Sequence, residues 1–141
     1  MATIFSKIID GEIPGRFVWQ DDLCVAFLTV EPLRDGHAMV VPREEIEQWT
    51  DCDEETWLHL QRVARTLALA QQAEWGAPRV GMLLEGFLVP HVHVHVWPAW
   101  SAEDVEPHQP MRDVPEERFD EAARRLRERL VAQGHGDHVP D

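Results

Sequence analysis

The run His91-Val92-His93-Val94-His95-Val96-Trp97 places histidine at every second position, with valine between. Side chains alternate faces along an extended strand, so the three imidazoles share one face and the valines the other. At ~3.4 Å per residue, all three lie within about 14 Å. Imidazole is also the side chain whose unperturbed pKa, ~6.5, falls nearest neutrality. Such a row admits three readings. Neutral imidazoles could hold zinc with a position open for water. One imidazole could instead attack phosphorus while the others manage charge and protons. The third reading is a solvated sheet face with no chemistry, and three histidines opposite an all-valine face weigh against it. The carboxylates that usually buttress metal-bound imidazoles are sparse nearby, Glu85 and Glu103 being the candidates.

The strand that carries the histidines needs a sheet around it. Thr3 to Ile9 spaces Ile4, Phe5 and Ile8 as one apolar side of a short helix, ended by Gly11 and Pro14. Arg16 to Gln20 and Leu23 to Val30 read as two strands joined at Asp21-Asp22. His37 to Val41 reads as a third, entered through the turn at residues 32–36 and closed by Pro42. Residues 53–75 form the clearest helix: Trp57, Leu60, Val63, Ala64, Leu67 and Ala70 recur at helical spacing, and Gly76 and Pro78 mark the stop. Arg79 to Leu84 and His91 to Trp97 complete five strands. A second helix is expected over residues 115–132, capped by Asp113, with Phe119, Ala122, Leu126 and Leu130 as its stripe. The expected class is α+β: a five-stranded, mainly antiparallel sheet with one long and one C-terminal helix. Residues 1–133 are expected as one domain and 134–141 as a mobile tail.

Composition narrows the partners. The 141 residues carry 26 acidic and 13 basic side chains, a formal charge of −13. No basic stripe is available for nucleic acid, and an anionic membrane surface would repel the chain. A small anion remains feasible, because a few N–H groups can make a locally positive site. Cys24 and Cys52 form no CxxC pair and suggest neither a stapled fold nor a structural zinc site. The first residues, with Lys7, Asp10 and Glu12, lack the apolar run of a signal or membrane segment, so the cytoplasm is expected.

With its flanks, the histidine strand resembles the histidine-triad (HIT) family of nucleotide hydrolases and transferases. HVHVHVW fits the family's His-φ-His-φ-His-φ-φ signature, where φ is apolar. The segments TIFSKIIDGEIP, DDLCVAFLTVEP and GHAMVVP resemble, in order, the adenosine phosphoramidase (Hint-like) branch, and the likeness spans about residues 3–100. It implies that His93 attacks the α-phosphorus of a nucleoside phosphoramidate, phosphate ester or dinucleoside polyphosphate. A nucleotidyl-histidine would form and be hydrolysed by water. The backbone carbonyl of His91 would hold the nucleophile's tautomer, His95 would contact the phosphate and assist the leaving group, and His37 would support the triad from a neighbouring strand. Imidazolium and backbone N–H groups would meet charge on the phosphoryl oxygens. Ile4, Phe5, Ile8, Phe27 and Val30 would line a purine cleft. The resemblance implies no metal or cofactor, and a homodimer joined through the long helix and an adjacent strand, with Trp57, Trp75 and the helix stripe at hand. Trp97 and Trp100 could wall the leaving-group side.

Several positions depart from the family pattern. Thr29 stands where an Asp usually grips both ribose hydroxyls, and a hydroxyl cannot match that charged, bidentate contact. The loop before the triad is short, with Leu88 near the usual serine and Val89 following, which leaves mainly backbone donors. Leu84 or Glu85 stands near a usual asparagine, and Glu85 would repel an anion. Phe5-Ser6 occupies the region where some relatives place a zinc-binding Cys pair. Beside hydrolysis, a nucleotide-binding regulatory module with weak catalysis and a metal-dependent hydrolase therefore stay open.

Overall fold

The structure, a computed structural model, describes residues 2–141. Helix α1 (Ile4–Ile9) begins where the Thr3 hydroxyl accepts the Ser6 N–H, satisfying one of the free donors of a first turn. Strands β1 (Phe17–Gln20), β2 (Cys24–Leu28) and β3 (Ala38–Pro42) follow, then α2 (Glu54–Trp75), β4 (Arg79–Leu83), β5 (Val94–Ala99) and α3 (Glu116–Ala132). All strand pairs are antiparallel and the order is β1-β2-β3-β5-β4. This is the expected α+β architecture.

The central strands β2 and β3 are buried on both sides, so the sheet carries two apolar layers. On one face Ala26, Leu28, Val40, Val92, Val94 and Val96 pack under Leu60, Val63 and Leu67 of α2 and Ala122, Leu126 and Leu130 of α3. Burying one such leucine is worth about 1.5–3 kcal/mol, so this layer anchors both helices. Asp53 caps α2 at one end and Gly76, with φ 65°, ends it in the left-handed region that glycine enters without strain. On the other face Val25, Phe27, Met39 and Val41 form a second cluster with Phe5 of α1.

Four expectations need correction. The regular ladder of β5 starts at Val94 rather than His91. Upstream, the Val92 N–H bonds the Ile46 carbonyl and the His91 carbonyl is occupied by a side chain, so no strand partner is left for these groups. The α3 cap is Pro115 rather than Asp113, whose φ of 55° takes it out of the helical path. The α2 stripe of Leu60, Val63, Ala64, Leu67 and Ala70, expected at hand for an interface, is buried in the chain's own core, while Trp57 and Trp75 are only partly buried. Finally, residues 134–141, expected as a tail, carry a turn at Gly136–His138 that lies on the domain: His138 stacks on Trp19 at 4.7 Å and Val139 packs against the main core. Among the described residues, no helix is long and apolar enough to cross a membrane.

Candidate active site

The histidine row sits on the second face, where the odd-numbered residues of β2, β3 and β5 point. Met39 is opposite Phe27 on one side and His95 on the other, while Leu83 and Gly81 of β4 face His95 and Trp97. His37 enters this face one residue before β3. Across the row lies α1, whose Phe5 ring meets His93 edge-on at 4.8 Å, His91 at 5.9 Å and Phe27 at 5.7 Å. The valines between the histidines are buried in the opposite layer, as the alternation requires.

Carbonyl oxygens and backbone N–H groups assign every ring proton. The His91 carbonyl accepts at 2.7 Å from Nδ1 of His93, so Nδ1 carries the proton and Nε2 keeps its lone pair. Nε2 of His91 donates to the Pro42 carbonyl at 2.7 Å, which leaves its Nδ1 to accept from the Thr3 hydroxyl at 2.7 Å. Nδ1 of His37 accepts the Leu33 N–H at 3.0 Å, so its Nε2–H donates to Nδ1 of His95 at 2.9 Å. His95 therefore holds its proton on Nε2. Within the row of His37, His91, His93 and His95, the nitrogens left over are Nε2 of His93, a bare lone pair, and Nε2 of His95, an N–H donor. The two rings stand 5.1 Å apart.

Burial keeps the whole row neutral. It pushes His37 down to about 3, helped by His95, and His95 down to about 4, helped by His93. His91 and His93 are lowered by burial too, against the pull of the carbonyls they donate to and of Glu45 and Glu85 respectively. At pH 7 a neutral N–H dipole, rather than the expected imidazolium, thus faces any phosphate at His95.

The expected cleft residues divide. Phe5, Phe27 and Ile8 join the apolar cluster beside His93, with Val89 packed on it. Ile4, Val30 and Leu88 do not: they are 49%, 77% and 91% exposed. Thr29 is buried, its hydroxyl accepting the Glu31 N–H at 3.1 Å and keeping its own proton to donate. Glu85 is exposed. Trp97 is buried 5.2 Å from His37, with its indole N–H on the Asp104 carbonyl, whereas Trp100 is 46% exposed. Sequence reasoning missed Thr3 and Glu45 as neighbours of the site. The signal for Thr3 was its place as the cap of α1; nothing in the spacing pointed to Glu45.

A separate gathering of ligand-type side chains lies at the β1–β2 turn. Asp21 takes hydrogen bonds from the Leu23 and Cys24 N–H groups, Trp19 and His59. Burial alone would raise its carboxyl, but these donors outweigh it and hold it near 2. The group ties the hairpin to α2.

A five-stranded antiparallel sheet that sets a polarised histidine row against a short capping helix defines a histidine-triad domain. The family model described as "HIT domain" matches residues 10–101, and the chain belongs to that family. It is similar to an uncharacterized HIT-like protein of Methanocaldococcus jannaschii, 31% identical over 104 residues, 71% of this chain and 81% of that one. Among solved structures, a hypothetical histidine triad nucleotide-binding protein from Sulfolobus tokodaii matches with TM-score 0.78 and 26% identity over 92% of each chain. A Zn-bound histidine triad family protein from Mycobacterium smegmatis matches in fold, with TM-score 0.81 and 22% identity over 96% and 98% of the two chains.

Proposed function

We propose that the chain is a hydrolase of the adenosine phosphoramidase-like kind, cleaving a nucleoside phosphoramidate, phosphate ester or dinucleoside polyphosphate at its α-phosphorus through nucleotidyl-His93. The observation that carries this reading is the proton pattern: a lone pair on Nε2 of His93 beside an N–H on Nε2 of His95. In the first step Nε2 of His93 attacks phosphorus. The P–N bond of a phosphoramidate breaks with its electron pair on nitrogen, which takes a proton from water and leaves as an amine. The His93 ring becomes cationic with Nδ1–H still on the His91 carbonyl, a charge-assisted bond stronger than before. The Nε2–H of His95 donates to the phosphoryl or leaving atom as charge grows there. In the second step water attacks phosphorus, the P–N bond to His93 breaks, and one proton passes to solvent. The proton taken up in the first step is returned in the second, so only water is consumed.

Two observations support this over a metal-dependent reaction. Both nitrogens of His91 are occupied by Thr3 and Pro42, both of His37 by Leu33 and His95, and one each of His93 and His95 is committed. A three-imidazole metal site would have to break these bonds. A purine would rest on Phe5 and Phe27, and Thr29 has one hydroxyl proton to offer a ribose. The nucleotide-binding name of the Sulfolobus tokodaii protein agrees with such a ligand. Free thiols at Cys24 and Cys52 fit a cytoplasmic setting. The test is to quench the protein during turnover of an adenosine phosphoramidate and locate nucleotide on the chain, expected at His93. Tight nucleotide binding with no turnover would favour the regulatory module instead.

A further inference from the structure

We infer that Thr3 and Glu45 are positioning residues that latch helix α1 to the triad and hold the nucleophile in register. The inference rests on His93 being the nucleophile. Glu45, just past β3, accepts through one carboxylate oxygen both the Thr3 N–H at 2.9 Å and the Ser6 hydroxyl at 2.5 Å, from residues 42 and 39 positions away. Thr3 accepts the Ser6 N–H with the same hydroxyl oxygen that donates to Nδ1 of His91. The other nitrogen of His91 donates to the carbonyl of Pro42, three residues before Glu45. Glu45, Thr3, His91 and Pro42 thus close a ring of hydrogen bonds, completed by the backbone that runs from Pro42, the end of β3, to Glu45. Its last member, the His91 carbonyl, holds Nδ1 of His93.

The consequence is mechanical. Phe5 rests on His91 and His93, so the wall of the apolar cleft and the nucleophile share one hydrogen-bonded frame. The buried ring of His91 acts as a strut with no free nitrogen. If Thr3 loses its hydroxyl, Nδ1 of His91 is buried without a partner, a state that favours rearrangement of the ring and of the carbonyl behind it. Because catalysis tolerates little misplacement of reacting groups, a small shift there slows attack more than it weakens binding.

The experiment uses the full chain with Thr3→Val, Thr3→Ser and Glu45→Ala, adenosine phosphoramidate as substrate, and proton NMR of the imidazole N–H groups. Thr3→Val is expected to slow formation of nucleotidyl-His93 at least tenfold with KM changed less than threefold. It should also speed solvent exchange of the His93 Nδ1 proton more than tenfold, and Thr3→Ser should restore both. Glu45→Ala removes an exposed side chain that bonds no imidazole, so the fold survives it; it should shift both readouts the same way, about threefold. Rates and exchange within twofold of wild type in both variants would overturn the latch. So would a slow Thr3→Val protein whose His93 proton exchanges normally and whose rate Thr3→Ser fails to rescue. If the wild-type protein forms no nucleotidyl-histidine, the nucleophile reading fails, while the exchange measurement still decides the latch.

Discussion

At the scale of single residues, each imidazole is told apart by what its backbone partner leaves free. His93 and His95 are chemically identical side chains two positions apart, yet one presents a lone pair and the other a proton. The difference lies in a carbonyl on Nδ1 of one and a donated N–H on Nδ1 of the other. Because burial lowers His93 and holds His95 near 4, the acid limb of kcat/KM must lie below the ordinary imidazole value of ~6.5. The sign follows from the base form being the active one: protonating His93 removes the lone pair, so activity is lost as pH falls through its depressed value. A pH profile flat from 8 to below ~6.5 is expected. An acid limb at or above 7 would mean that at least one of these rings does not sit in the dry environment described.

At the scale of elements, β4 and β5 hold the row in place through a close backbone approach. A Cβ at Gly81 would lie 2.5 Å from the Trp97 ring, and Trp97 packs against His37, which orients His95. Gly81→Ala is therefore expected to cost about 1–3 kcal/mol, a drop of about 3–10 °C in thermal midpoint, with reduced turnover. An unchanged midpoint by calorimetry would show that the strand can yield. The elements were largely readable beforehand, because valine–histidine alternation and the 3.6-residue spacing of Leu60, Val63, Ala64 and Leu67 each report a buried face directly. The departures arise where a side chain replaces a ladder bond, as at His91 and His93, or where a residue leaves the helical region, as Asp113 does. The Thr3–His91 bond joins positions 88 apart, and no periodicity encodes such a contact. Tautomers were unreadable for the same reason: they depend on Pro42, Leu33 and His91 backbone groups that only the fold brings together.

At the scale of the whole molecule, the sheet ends in an open edge. β4 pairs only with β5 among the described strands, so one row of its main-chain groups has no strand partner, and Met82 is 58% exposed upon it. We propose that this edge joins two copies of the chain. Light scattering should then report about twice 16.2 kDa, and Met82→Arg, which sets like charges facing across a symmetric contact, should return the mass to one copy. A wild-type mass of one copy at micromolar concentration would contradict the pairing.

The central claim is that Nε2 of His93 becomes covalently bonded to phosphorus. It is tested most directly by mixing wild-type protein and His93→Gly with labelled adenosine phosphoramidate, quenching in denaturant at neutral pH or above, and mapping the label by peptide mass. The account predicts nucleotide on the peptide containing His93 in the wild-type protein, none in His93→Gly, and turnover reduced by about three orders of magnitude or more in the variant. Full turnover by His93→Gly, or label on another residue, would contradict it.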